Sequence, residues 1–256
     1  MSEILRLENV GFSFGAQEVL KNVSFTLKEH EFISVVGDSG CGKSTLLRLL
    51  AGYLKPSAGK IYFENKAYES INSKIAVSFQ QPTLYPWLDL SENVSFKAKL
   101  EGVNKKERKA LAEHFLKAVD LLEFSKKYPY ECSGGMHARA ALAQALACKS
   151  DLILMDEPFA ALDAFSKQSM QDLVRVIYQK NKFSVFFITH DIDEALYLSD
   201  RVFIMKPCKN STQSIVQDVK INFKSKDLSS LKALKEFSEL KEYIYTLIKE
   251  RYNYVI

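Results

Sequence analysis

A chain of 256 residues with 47% hydrophobic and 26% charged residues is long enough to bury one large or two small cores, and it is too polar throughout to live inside a bilayer. Its longest uncharged apolar runs, such as Ser184 to Thr189 and Leu152 to Met155, have strand length and fall far short of the roughly 20 residues a spanning helix needs. The formal charge of +4 is spread along the chain without a dense Lys/Arg stripe, which argues against nucleic acid as the main partner.

Met1 to Glu8 carries Glu3 and Glu8 and no apolar run leading to a small-residue cleavage site, so no export signal is expected. Leu5, Leu7, Val10, Phe12 and Phe14, then Val23, Phe25 and Leu27, mostly alternate with polar residues and predict two half-buried strands. Phe32 to Val36 is a short apolar run entering a glycine-rich turn, after which Leu46, Leu47, Leu49 and Leu50 fall at helical spacing, which reads as strand, loop, helix. Further runs of strand length occur at Ile75 to Phe79, Leu152 to Met155, Val185 to Thr189 and Val202 to Met205. The last three are separated by helix-forming segments, the texture of a parallel α/β sheet. Between Pro86 and Lys149 helix formers dominate, so an inserted helical subdomain is expected there. From Asp227 to Glu250, Leu231, Leu234, Phe237, Leu240, Ile244, Leu247 and Ile248 recur every three or four positions and predict one amphipathic helix, read as a cap on the sheet in preference to a separate regulatory site. Cys41, Cys132, Cys148 and Cys208 lie far apart without metal-site spacing and read as free thiols in a reducing compartment, the cytoplasm.

Two segments carry chemistry. Gly37-Asp38-Ser39-Gly40-Cys41-Gly42-Lys43-Ser44-Thr45 fits G-x-x-x-x-G-K-[S/T] between a buried strand and a helix. Its glycines let backbone N–H groups converge on phosphates at a helix amino terminus. Lys43 can then reach the β- and γ-phosphates, and Ser44 can offer a hydroxyl to Mg²⁺. Leu152-Ile-Leu-Met-Asp156-Glu157-Pro158 is an apolar strand ending in two carboxylates, at the sheet edge where α/β proteins place ligands. Asp156 is suited to hold Mg²⁺ through its water shell, and Glu157 to orient and deprotonate an attacking water. Taken alone, the acidic pair could equally be a solvated turn; beside a phosphate loop the functional reading dominates.

With Cys132-Ser133-Gly134-Gly135-Met136 added, the set of segments resembles the ABC transporter ATPases from about Leu5 to Met205. The resemblance implies a P-loop NTPase (RecA-like) core with an antiparallel β edge and an inserted α-helical subdomain. The core is expected over 1–85 and 150–206 within one ABC domain of 1–230, the helical signature subdomain over 86–149, and a C-terminal extension over 207–256. Val77-Ser-Phe-Gln80 followed by Pro86-Trp87 resembles the family's Q-loop, with Gln80 a Mg²⁺ ligand, although Gln81 competes for the role. Ala161-Leu-Asp163 resembles the D-loop and Ile188-Thr-His190-Asp191 the switch histidine; by itself His190 could be a structural histidine. Phe14 resembles the aromatic that stacks on adenine, although the strand's alternation also admits Phe12. Trp87 is open to a core role or to facing a partner.

The resemblance further implies that Ser133, Gly134 and Gly135 complete the ATP site of a second copy in a head-to-tail dimer. The sequence departs from the family's L-S-G-G-Q-x-Q-R at Cys132, Met136, His137 and Ala138. Methionine after the glycines, Pro86-Trp87 and Asp156-Glu-Pro-Phe-Ala-Ala-Leu-Asp163 are similar to the importers of the nitrate, sulfonate and taurine class. The implied protein hydrolyses ATP with Mg²⁺ at the cytoplasmic face of the membrane, drives separate permease subunits, and works indirectly with a solute-binding protein. The alternatives are a non-transport ABC ATPase, for which a long heptad insertion or repeated Walker motifs would be expected, and an ATP-dependent scaffold, which would be expected to lose Lys43 or Glu157.

Overall fold

A computed structural model of the chain describes residues 2–68, 70–181, 183–223 and 228–249. In chain order the strands are β1 (Glu3–Phe14), β2 (Gln17–Lys28), β3 (Phe32–Gly37), β4 (Ala58–Phe63), β5 (Lys66–Ala67), β6 (Ile75–Ser78), β7 (Leu152–Asp156), β8 (Ser184–Ile188), β9 (Arg201–Met205) and β10 (Ile215–Lys220). The helices are α1 (Lys43–Leu50), α2 (Leu90–Val94), α3 (Phe96–Leu100), α4 (Lys105–Ala118), α5 (Gly134–Ala147), α6 (Ala164–Lys180), α7 (Ile192–Leu198), α8 (Leu228–Lys232) and α9 (Lys235–Lys249). The described residues form two compact units, one from Met1–Asn72 and Ser184–Ile256, the other from Ser73–Phe183.

In the first unit β1 pairs antiparallel with β2 on one side and with β4 on the other, and short β5 extends β4. Leu5 and Leu7 face the core, and so do Val10 and Phe12, which a strict alternation from Leu7 would not allow. The register slips between Leu7 and Val10, where Asn9 adopts φ 49°; this extra residue moves the core face from odd to even positions. The same unit holds a parallel set in which β3 lies between β8 and β9, with β10 antiparallel on the outer side of β9. All of β8, and β3 as far as Val36, is buried, which is why their sequences are near-continuous apolar runs. Buried Ser34 and Ser199 share a hydrogen bond, and Arg201 at the start of β9 pairs with Glu31 and with Asp218 of β10.

In the second unit β6 and β7 run parallel, Ser78 opposite Met155, and helices α2, α4 and α5 pack on one another. The expected helical stretch between Pro86 and Lys149 holds α2 to α5 and no strand among its residues. Buried Asn93 orders the segment before α2: its Oδ1 accepts from the Tyr85 N–H, and its Nδ2 donates to the carbonyls of Tyr85, Leu88 and Asp89. Trp87 sits on this braced segment with 69% of its surface exposed.

The carboxyl-terminal periodicity is realised differently from the single helix expected. Helix α8 ends at Lys232 and α9 begins at Lys235, and Leu234, at the break, is 38% exposed. The break lets Leu231 bury separately, while Phe237 and Ile244, seven apart, form the buried stripe of α9. The ends of the expected helix, Asp227 and Glu250, lie outside the described residues. Among the described residues, no helix is long and apolar enough to cross a membrane.

Candidate functional site

The phosphate loop leaves the carboxyl end of β3 and runs into α1. Gly42 takes φ 102°, and a Cβ there would lie 2.7 Å from Leu20 Cδ2 and 3.1 Å from the Val19 carbonyl. Left-handed backbone and close packing both demand glycine at this point. Gly42→Ala is expected to destabilise the chain by about 2–3 kcal/mol, the sum of a strained φ and an overpacked contact. A urea midpoint unchanged from wild type would contradict this.

Helix α1 starts without a side-chain cap and without an acidic residue in its first turn, so no carboxylate of that turn competes with an anion for its amino-terminal N–H groups. Lys43, 8% exposed, folds back on the loop: its Nζ donates to the carbonyls of Gly37 (2.7 Å) and Asp38 (2.9 Å). Asp38 is half-buried, Ser39 and Gly40 are exposed, and Ser44 and Thr45 are half-buried on the first turn of α1. Cys41 is buried beside Lys43, and burial pushes its thiol up despite the neighbouring ammonium.

His190 leaves the strand next to the phosphate loop. Val35 of β3 is opposite Ile188 of β8, so the loop and His190 emerge at the same carboxyl edge, as expected for a ligand site in a parallel sheet. His190 is exposed, while the residues flanking it are braced. The Thr189 hydroxyl bonds the Glu194 carboxylate and accepts from the Asp191 N–H, and Asp191 caps α7 through the N–H groups of Asp193 and Glu194. In β1 of this unit Phe12 is core and Phe14 is 52% exposed, with the two rings edge to face at 4.8 Å.

The second unit has a matching edge. Gln80 follows β6 and Glu157 follows β7, and Gln80 Nε2 donates to Glu157 Oε2 at 3.2 Å. Asp156, 6% exposed, ends β7. Glu157 adopts φ 47°, an uncommon left-handed conformation for a residue with a side chain. Outliers of this kind persist where the surroundings fix a side chain in one direction. Nothing in a linear pattern signals this; the fixed direction of Glu157, the Thr189 brace and the Asn93 brackets are features that sequence reasoning missed.

The Ser133 side chain caps α5, its Oγ accepting from the Met136 N–H at 3.3 Å, and no acidic residue occupies the first turn of this helix. His137 bonds the Pro129 carbonyl and Ala138 is buried, so two of the unusual positions of this segment serve its own packing. Asp163 is exposed and caps α6 through the N–H groups of Phe165 and Ser166; these hydrogen bonds hold its carboxyl below the usual carboxylate range.

A family model described as ABC transporter matches residues 20–160. The chain belongs to the ABC transporter ATPases. It is 39% identical over 255 residues to a taurine import ATP-binding protein of Rhizobium johnstonii, covering 96% of each chain. It is 41% identical over 191 residues to a nitrate import ATP-binding protein of Synechocystis, covering 75% of this chain and 72% of that one. Among solved structures, a dimeric post-hydrolysis ATP-binding cassette bound to ADP and Pi matches with a TM-score of 0.74 at 30% identity, over 86% of this chain and 99% of that chain. The expected P-loop NTPase fold, ATP as the nucleotide, and membership of the transporter family are thereby borne out.

For an ABC ATPase the donor chemistry also fits Mg²⁺. The Ser44 hydroxyl of the first unit, and the Gln80 amide and buried strand-end Asp156 carboxylate of the second, are each hard oxygen donors of the kind taken by an ion that keeps water and phosphate in its shell.

Proposed function

We propose that the chain is the ATP-hydrolysing subunit of an importer for a small solute of the taurine or nitrate kind, working as a head-to-tail pair on separate permease subunits at the cytoplasmic face of the membrane. A solute-binding protein would deliver the cargo, which the ATPase itself does not touch. The observation that carries the catalytic part is Glu157, turned by a left-handed backbone and held by Gln80. A carboxylate fixed at a strand end is suited to take a proton from water.

In this reading the N–H groups from Gly37 to Thr45, including those of Asp38, Ser39, Gly40 and Cys41, cradle the phosphates, and Lys43 binds the β- and γ-phosphates. Phe14 stacks on adenine. Ser44, Gln80 and Asp156 would hold Mg²⁺, which supplies positive charge to the phosphate oxygens. Glu157 accepts the proton of a water as its oxygen bonds to the γ-phosphorus, the bond from that phosphorus to the bridging oxygen breaks, and ADP leaves with the electron pair. His190 hydrogen-bonds the γ-phosphate. Exposed Trp87, on its braced segment, is suited to face a permease.

The pairing of two copies is supported by the glycines of the signature. A Cβ on Gly134 would meet nothing within 4 Å, and one on Gly135 would meet Leu162 at an ordinary 3.8 Å. Glycine near a helix start costs up to about 1 kcal/mol relative to alanine, and here the fold of the chain itself gains nothing from it. An approaching ligand from outside, such as the γ-phosphate held by a second copy with Asp163 nearby, does.

Two experiments test the reading. Purified chain should hydrolyse MgATP and form an ATP-dependent dimer by light scattering; absence of both would overturn the reading. The double variant Gly134→Ala, Gly135→Ala should unfold at the same or higher urea concentration, by up to about 1–2 kcal/mol, yet fail to dimerise with ATP. Retained dimerisation would remove the signature from the interface.

A further inference from the structure

The seven-residue helix α7 directly follows His190 and is packed on both sides. It contacts β3 of the sheet on one side and α9 of the carboxyl-terminal extension on the other, and Ala195, Leu196, Tyr197 and Leu198 are all buried. Its first turn carries Asp193, which receives two cations from two different helices: Lys232 of α8 lies 2.9 Å from Oδ2, and Lys241 of α9 lies 2.6 Å from Oδ1. The approach to Oδ1 lies off the line of a directed hydrogen bond, so that contact is held by charge. The carboxylate is 17% exposed and the lysines are about half exposed, so the pairs are only partly screened by solvent. Phe237 and Ile244 bury from α9, and the Phe237 ring packs against Phe223 at 5.6 Å.

We propose that the carboxyl-terminal extension is a positioning element for the switch histidine, and that the clamp of Lys232 and Lys241 on Asp193 transmits its hold. The route is short and contiguous. Asp193 is the third residue after His190, its N–H donates to the Asp191 carboxylate that caps α7, and Glu194 beside it receives the Thr189 hydroxyl. A shift of α7 therefore moves both braces that flank His190. A sheet-capping extension would need only its apolar stripe; two lysines from separate helices meeting on one carboxylate fix where along α7 the extension sits. This inference rests on the role proposed above for His190 at the γ-phosphate.

The test uses the full chain and compares wild type, Lys232→Ala with Lys241→Ala, and Lys232→Arg with Lys241→Arg. Steady-state MgATP hydrolysis is measured together with binding of a fluorescent ATP analogue and far-UV circular dichroism. The alanine pair should lower kcat at least fivefold while KM and analogue affinity stay within twofold, because phosphate-loop contacts are untouched. The arginine pair should return kcat to within twofold of wild type. Equal kcat in wild type and the alanine pair overturns the proposal, as does a joint fall of kcat and analogue affinity at wild-type helical content, which marks a general loosening of the site rather than a hold on the switch histidine. Should the alanine pair not fold, Asp193→Asn takes its place, judged by the same outcomes. A wild type without ATPase activity overturns the proposed function itself, which separates that failure from failure of the clamp.

Discussion

Glu157→Gln should still bind MgATP but hydrolyse it about 1,000-fold more slowly, because a positioned general base contributes roughly 10² to 10⁴ in rate. The substitution is nearly isosteric. It removes the carboxylate that would accept the water's proton and leaves the phosphate loop, in the other compact unit, unaltered. The bond from Gln80 to the side-chain oxygen can re-form with the new amide oxygen as acceptor, so fold and orientation should persist. With binding intact and turnover blocked, the paired state should accumulate, and light scattering with ATP should show a long-lived dimer. The decisive measurement is single-turnover hydrolysis of radiolabelled ATP. A variant within tenfold of wild type would assign the base elsewhere and leave the left-handed backbone of Glu157 without its catalytic explanation.

Lys43→Met should weaken ATP binding about 100-fold. The ammonium donates to the carbonyls of Gly37 and Asp38 at 2.7 and 2.9 Å, so it both ties the loop and places a positive charge within it. Methionine keeps much of the buried volume and removes the charge. A charge-assisted hydrogen bond contributes about 1.5–3 kcal/mol, and about 1.4 kcal/mol is tenfold in affinity, which gives the expected factor. Equilibrium titration with a fluorescent ATP analogue reads it directly. A dissociation constant within threefold of wild type would mean that the loop N–H groups and the α1 amino terminus hold the phosphates without the lysine. The two variants separate the two halves of the reading, since one should bind without turnover and the other should lose its affinity for the nucleotide in the first place.

Much of this protein is determined by its sequence alone. Gly37 to Thr45 dictate a phosphate loop because glycine backbone freedom, a lysine and a following helix are all local properties of consecutive residues. The buried parallel strands β3, β7, β8 and β9 were legible for the same reason, as uninterrupted apolar runs follow from burial on both faces. Strands β4 and β10 were not: Ala58–Phe63 and Ile215–Lys220 mix charged and apolar residues because they are largely open to water, and pairing with β1 and with β9 makes them strands. The tertiary structure also decided the direction of Glu157, which depends on a φ that no residue type announces, and its meeting with Gln80 across β6 and β7. It divided the expected carboxyl-terminal helix at Leu234 and brought Lys232 and Lys241 onto Asp193. Periodicity records which residues seek burial, but the partner that buries them, and the charges that meet there, are set by contacts between residues far apart in the chain.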